Sequence, residues 1–496
     1  MQTTSTDMGV LGRIALGRRL SRFATVLSLM LAVLVANLTW IQVVQARSLS
    51  NHVANTRDLA EQARSDRGSI VTRDGMVLAE SVPSGRSTFE RDYPEGTFAA
   101  HVVGYHSLRY GRSGVEAAAN DILAGTRAFE TWADVVDAAT GRPVAGSDVQ
   151  LTIDSTVQRA AQRALRGKRG AVVVLDPRSG AVLASASSPS YDPGEVDEKW
   201  DDISSASEGA ALLDRSRQAL FPPGSTFKIV TLTGALGSGT ATLDDTYPGP
   251  GTLEIGGAPV TNFEGGSYSS VSLLDATARS VNTVFAQVAV DLGARGLVEQ
   301  ANRFGFGSST GYELPAKTSL MPDPAEMTTW ETAWAGVGQP VGEHESPPGP
   351  QATVMQMALV AAGIANDGVV MRPYVLGGVL DGSGTRQLPT RTLPRRLTTA
   401  TDAATAQQVT EAMVHTVKAG SGARAAVSGT TVAGKTGTAE VGKDQPTNAW
   451  FIAFAPAENP TVAMAIMLEG GGVGGRVAAP AAKPVLEAAL AAQTEK

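Results

Sequence analysis

Residues 221–236 read Phe-Pro-Pro-Gly-Ser-Thr-Phe-Lys-Ile-Val-Thr-Leu-Thr-Gly-Ala-Leu. Pro222, Pro223 and Gly224 interrupt any preceding element, and Ser225 then opens a helix whose apolar face carries Ile229, Leu232 and Leu236. Ser225 and Lys228 stand at i and i+3, so both side chains lie on one face. A serine hydroxyl is a poor nucleophile until a base takes its proton. Lys228 can be that base only when neutral, and its ordinary pKa is ~10.4. Burial and a neighbouring positive charge would have to depress it. The helix start also offers the Ser225 N–H to a developing oxyanion.

Two further short patterns follow in order. Ser280-Val281-Asn282 is the first, and Lys435-Thr436-Gly437, continuing Thr438-Ala439-Glu440, is the second. Lys435 would supply the charge that lowers Lys228. Ser280 is placed to relay a proton to a leaving amine, and Asn282 to hold Lys228 and a substrate amide. Lys435, Thr436 and Gly437 read as an edge strand. Gly437 would allow close backbone approach by a substrate that adds as a strand, and Lys435 and Thr436 would hold a terminal carboxylate. Each pattern alone is unremarkable: S-x-x-K is ordinary helix surface, S-x-N is noise and K-T-G is usually a turn. Their order across one segment, the first behind Pro-Pro-Gly, carries the weight.

Residues 429–436 also match G-x-x-x-x-G-K-[ST] letter for letter, and the apolar run 172–176 imitates its partner strand. A phosphate loop needs a helix straight after its Thr. Gly437, Gly442 and Pro446 follow instead, so a nucleotide site is rejected.

Around this core the chain has 496 residues, with 41 Lys plus Arg against 48 Asp plus Glu, hence a net charge of −7. That balance offers no basic face for nucleic acid. The absence of Cys excludes disulfides, thiol nucleophiles and Cys-based metal sites. The five His fall in no metal-binding spacing, so no metal is expected. Residues 23–46 carry no charge and suffice for a membrane-crossing helix. Arg13, Arg18, Arg19 and Arg22 precede it against Asp7 alone, so the tail is expected inside and the bulk of the chain outside. A signal peptide cleaved after Val44-Gln45-Ala46 and a buried core helix are the alternatives.

The expected organisation is a cytoplasmic tail (1–22), a transmembrane anchor (23–44), a non-catalytic segment (45–147) and a catalytic domain (148–496). Residues 47–66 suit a helical stalk. A hairpin is expected around Arg73-Asp74-Gly75, and helices over 115–123, 155–167, 271–292, 353–366, 402–418 and 480–492. Strands are expected at 149–154, 171–176, 181–187, 449–456 and 461–468. Residues 382–402 read as a polar surface excursion. Helices with an antiparallel sheet make an α+β domain.

The ordered S-x-x-K, S-x-N and K-T-G set resembles that of serine acyltransferases that react with penicillin. With Arg67-Gly68-Ser69-Ile70, Asp74-Gly75, the run 111–116, Ser190-Tyr191-Asp192-Pro193, Gly338-Gln339 and 433–440, the chain resembles the class B penicillin-binding proteins. The stretch 93–116 further resembles their actinobacterial penicillin-binding protein A group. That family commonly carries Asp where Thr72 stands. The resemblance implies a penicillin-binding transpeptidase fold, with helices on both sides of the sheet, on a pedestal of dimerisation type. It implies a D,D-transpeptidase that cross-links peptidoglycan in division or growth. Ser225 would be acylated by stem peptides ending in D-Ala-D-Ala and by β-lactams. Lys228 would be its base, Ser280 and Asn282 the second motif, and Lys435, Thr436, Gly437 and Thr438 the substrate-binding strand. The N–H groups of Ser225 and Thr438 would form the oxyanion hole. No cofactor is implied. Implied partners are stem peptides, a lipid-linked precursor, the cytoplasmic membrane, and division or elongation proteins, a glycosyltransferase among them. A D,D-carboxypeptidase or β-lactamase shares the motifs, and a mainly scaffolding role is the reading from another class.

Overall fold

The strands Asn448–Ala455 and Val462–Leu468 are buried along their whole length. A strand covered on both faces can be continuously apolar, and Asn-Ala-Trp-Phe-Ile-Ala-Phe-Ala and Val-Ala-Met-Ala-Ile-Met-Leu are nearly so. They are central in a five-stranded antiparallel sheet of order Ala433–Ala439, Asn448–Ala455, Val462–Leu468, Gly170–Leu175, Val182–Ser188. Alternate residues enter different cores. Trp450, Ile452, Phe454, Ala463, Ala465 and Met467 join the larger one, beside the wholly buried helix Val354–Ala365. Phe451, Ala453, Met464, Ile466 and Leu468 face the other, formed with helices Ser155–Ala164 and Ala478–Thr494. The expected α+β sheet with helices on both sides is present.

This computed structural model describes residues 65–494 except 86–87, 126–145, 206–208, 343–345, 381–391 and 443–444, and before them only Phe23, 26–31, Val33, Leu34 and Asn37. The chain divides into two units, Met1–Arg64 and Ser65–Lys496. In the first, the described residues are helical and their large apolar side chains are exposed. Among the described residues no helix is long and apolar enough to cross a membrane. The remainder of the expected span, the tail and most of the stalk lie outside the described residues.

In the second unit, Ile70–Val71 and Val77–Pro83 form the hairpin expected around Asp74-Gly75. They belong to a sheet ordered Leu376–Leu380, Asp148–Leu151, Ile70–Val71, Val77–Pro83, Phe89–Asp92. Leu376–Leu380 comes from deep within residues 148–496, so the segments on either side of position 147 share one sheet. Glu116 is fully buried and bridges Arg67 at 2.8 Å and Arg91 at 2.6 Å. Thr72, where the family pattern has Asp, takes no part in this network. Its hydroxyl accepts the Met76 N–H and closes the hairpin turn instead.

Three local expectations change. Ser225 lies in a single 3-10 turn, Gly224–Phe227, and the α-helix proper runs Lys228–Ser238. The helical pattern 271–292 is interrupted: Tyr268–Ser272 is a strand, Leu273–Arg279 a helix capped by the Ser272 hydroxyl, and a new helix runs Asn282–Arg303. The excursion 382–402 contains a strand, Arg396–Thr399, paired with Val369–Met371. Its first part lies outside the described residues.

Candidate active site

The turn that carries Ser225 is wedged between two glycine-dependent contacts. Gly224 (φ +53°) donates its N–H to the Gly338 carbonyl at 3.0 Å. A Cβ on Gly224 would come within 2.6 Å of the Thr438 carbonyl, and one on Gly338 (φ +92°) within 2.0 Å of the Gly224 carbonyl. Backbone therefore meets backbone, and the Ser225 turn lies beside the strand Ala433–Ala439. The Thr226 hydroxyl donates to the Pro223 carbonyl at 2.6 Å, and buried Phe227 packs edge-on against Phe306. Ser225 itself is half-buried, and its hydroxyl makes no hydrogen bond among the described residues.

Lys228 and Lys435 are both fully buried. The Lys228 amine donates to the Ser280 carbonyl at 2.8 Å and to Asn282 Oδ1 at 2.7 Å, and lies 3.2 Å from the Ser280 hydroxyl. Lys435 donates to that hydroxyl at 2.9 Å and to the Thr436 carbonyl at 3.0 Å. All three short motifs thus converge, although Lys435 is 155 residues from Ser280 in sequence. Among the described residues no carboxylate pairs with either amine. Burial, and then the charge of Lys435, hold the Lys228 ammonium well below its ordinary range. Burial pushes Lys435 down to about 7. A neutral Lys228 amine spends its two N–H groups on its two shortest partners and keeps a lone pair for a proton.

Ser280 occupies the break in the 271–292 pattern with φ 61° and ψ 41°. A non-glycine residue there carries strain, which the surrounding structure must hold. The Val281 N–H donates to the Ala276 carbonyl and closes the first helix. The chain turns and Asn282 begins the next helix, so Ser280 and Asn282 both reach the Lys228 amine. Asn282 Nδ2 donates to the Thr261 carbonyl at 2.8 Å, which orients its Oδ1 toward Lys228.

The strand Ala433–Ala439 is at the sheet edge, as expected. The Thr436 hydroxyl lies 2.6 Å from that of Ser421, and the Thr438 hydroxyl accepts the Gly474 N–H at 3.2 Å. Gly437 answers a demand that its sequence context does not reveal. A Cβ there would lie 2.9 Å from Thr226 Cγ2 and from Trp450 Cβ, and 3.0 Å from the Pro223 carbonyl. The Ser225 turn packs onto this strand only because the position has no side chain.

Gln339, part of the Gly338-Gln339 pair in the family resemblance, acquires a contact that its sequence context does not reveal. Its Nε2 donates to the Thr438 carbonyl at 3.3 Å and its Oε1 accepts the Glu440 N–H at 3.2 Å, clamping the strand at its far end. Ser421, whose hydroxyl meets that of Thr436, carries no mark in the sequence, because its partner is on another element. Among the described residues no group of three or more His, Asp or Glu could hold a metal ion. The decoy run 429–436 ends within a strand, without the helix a phosphate loop requires.

The described geometry meets close relatives among known proteins. The penicillin binding protein transpeptidase domain model matches residues 170–487, and the penicillin binding protein A dimerisation domain model matches residues 67–149. The chain is 35% identical to the peptidoglycan D,D-transpeptidase PbpA of Mycobacterium tuberculosis, over 95% of this chain and 98% of that protein. A solved D,D-transpeptidase domain of a peptidoglycan glycosyltransferase from Eggerthella lenta superposes with TM-score 0.80 at 43% identity, covering 88% of this chain and all of that one. A ceftriaxone acyl-enzyme complex of penicillin-binding protein A from M. tuberculosis gives TM-score 0.77 at 35% identity, with 87% of this chain and all of that chain covered.

Proposed function

Because the chain belongs to the penicillin-binding protein transpeptidase family, we propose that it is a peptidoglycan D,D-transpeptidase acylated at Ser225 by stem peptides ending in D-Ala-D-Ala and by β-lactams. The observation that carries this reading is the convergence of Lys228, Ser280 and Lys435 beside the Ser225 turn.

The Ser225 hydroxyl attacks the penultimate carbonyl while its proton passes to neutral Lys228. The Ser225 and Thr438 N–H groups receive the oxyanion. The intermediate collapses as the departing D-Ala amine takes a proton through the Ser280 hydroxyl, which Lys435 holds and polarises. An amine of a neighbouring stem then attacks the acyl-enzyme, its proton returning along the same path, and Ser225 is regenerated. Asn282 orients Lys228 and meets the substrate amide. Lys435, Thr436 and Thr438 line the edge strand along which the stem lies. A labelled penicillin should leave its mass on the Ser225 peptide of the purified protein, and Ser225→Ala should abolish the adduct without loss of fold. An adduct that persists in a folded Ser225→Ala protein would overturn the assignment.

A single-pass anchor over 23–44 with the tail inside and residues 47–496 outside belongs to the same reading. Its supports are the uncharged span behind four Arg and the exposed apolar side chains of the described helical residues. It brings the enzyme to lipid-linked precursor and to a glycosyltransferase partner at the cytoplasmic membrane, in division or elongation. Protease added to spheroplasts should remove the bulk of the chain; full protection would reverse the orientation.

A further inference from the structure

Two walls flank the junction of Ser280 and Lys435. One is the turn Phe263–Gly265, which follows the strand Ala258–Thr261. It is tied to the second motif: Thr261 accepts from Asn282, Asn262 Oδ1 accepts the Thr283 N–H at 2.9 Å, and Asn262 Nδ2 donates to the Thr283 hydroxyl at 3.1 Å. The other is the glycine-rich segment 470–475, pressed against the third motif. A Cβ on Gly474 would lie 2.1 Å from the Gly437 carbonyl, and one on Gly475 2.5 Å from the Ser421 carbonyl. Arg476 ends this segment and reaches across: its Nη2 lies 3.1 Å from Glu264 Oε1. The two residues are 212 positions apart, and their side chains are 62% and 59% exposed.

Three features set this pair apart from an ordinary surface contact. It joins the walls of the cleft instead of neighbouring turns of one element. Glu264 reaches it from a left-handed backbone (φ 52°, ψ 22°), a strained conformation for a residue with a side chain. Phe263 beside it leaves 51% of its surface exposed, an apolar face open to a ligand. An exposed ion pair is weak and screened by salt, so a ligand carboxylate can displace Glu264 readily. A peptide that adds to the edge strand Ala433–Ala439 must run between these walls.

We infer that Arg476 is a substrate-binding residue kept in reserve by Glu264, and that it takes a side-chain carboxylate of the donor stem peptide on the N-terminal side of the D-Ala-D-Ala end. The inference rests on reading the cleft as a stem-peptide site. The present partner of Arg476 is itself a carboxylate, which defines the chemistry of the ligand that replaces it. Phe263 then contacts the aliphatic part of the same residue.

The test uses the full-length protein and two synthetic pentapeptides ending in D-Ala-D-Ala, identical except that one bears a free side-chain carboxylate and the other its amide. Arg476→Ala should raise the KM for the acidic peptide about tenfold, leave kcat within about twofold, and leave the amidated peptide unchanged. Arg476→Lys should recover part of the loss, and Glu264→Gln should lower the KM for the acidic peptide. Acylation by benzylpenicillin should stay within about twofold of wild type throughout, which separates this inference from the Ser225 reading. Equal effects on both peptides, or none, would overturn it. So would a matching loss with benzylpenicillin, which would move Arg476 to the terminal carboxylate, and so would a loss confined to the acceptor step.

Discussion

Lys228 and Lys435 share one hydroxyl: the Ser280 oxygen lies 3.2 Å from the first amine and 2.9 Å from the second. Two buried ammonium groups so placed cannot both hold a full charge cheaply. In the proposed mechanism one amine stays neutral for proton abstraction and the other polarises Ser280.

Lys228→Arg retains a cation and most of the bulk but cannot deprotonate. Acylation by penicillin should fall by ~10²–10⁴-fold, the usual contribution of a positioned base. In the wild type the acylation rate should rise with pH along one ionisation well below 10, because burial and Lys435 lower Lys228. Stopped-flow acylation across pH measures both. A rate within a few-fold of wild type for Lys228→Arg would reduce Lys228 to a hydrogen-bonding partner.

Lys435→Met should change the pH dependence of stability and of rate together. Burial pushes the native Lys435 ammonium down to about 7, whereas the unfolded chain holds that proton to ~10.4. Between those values the unfolded state binds one more proton, so stability rises with pH, by up to about 1.4 kcal/mol per unit for this group. Urea unfolding from pH 7 to 10 should therefore show a shallower rise in the variant. Its acylation profile should move to higher pH, because Lys228 loses a positive neighbour. An unchanged unfolding slope would show that Lys435 titrates normally.

Gly338→Ala places a Cβ 2.0 Å from the Gly224 carbonyl at a φ of +92°. Either the turn before Ser225 shifts or the hydrogen bond to Gly224 N breaks. A loss of about 1–3 kcal/mol in stability is expected from the strain, with acylation slowed at least tenfold as Ser225 loses its alignment. Thermal unfolding and penicillin labelling check the two effects. Wild-type labelling in the variant would show that the contact does not position Ser225.

Glu116→Gln leaves Arg67 and Arg91 buried without a counter-charge. Removing one partner of a buried ion pair typically costs ~3–5 kcal/mol, so the variant should unfold at markedly lower urea concentration. Burial raises the Glu116 carboxyl, but Arg91 and Arg67 outweigh it and hold the group below its usual value. Its stabilisation is therefore present above the unfolded pKa of ~4.3 and is lost as pH falls through the lower native value. Wild-type stability should drop on acidification below about 4 more steeply than that of Glu116→Gln. Parallel acid profiles would remove Glu116 from the titration.

Local chemistry in the chain was enough for much of this. Pro-Pro-Gly before Ser225 and the continuous apolar run 449–455 act over a few residues, so the start of a new element and the buried strand could be read directly. So could the i, i+3 relation of Ser225 and Lys228. The break at Ser280 could not, because a serine in the left-handed region opposes its own propensity and is held there by contacts from Lys228 and Lys435. The second demand on Gly437 was equally invisible. Its missing Cβ makes room for Thr226 and Trp450, which reach it only in the folded chain. Gln339, Ser421 and the Arg476–Glu264 bridge bind partners on other elements, where sequence distance carries no signal. Sequence alone singled out the side chains proposed to do the chemistry and the strands that are buried, since those depend on residue type and on continuous apolar runs. Tertiary structure decided that two lysines meet at one hydroxyl, because burying both amines without a carboxylate is what lowers them, and burial is a property of the whole fold.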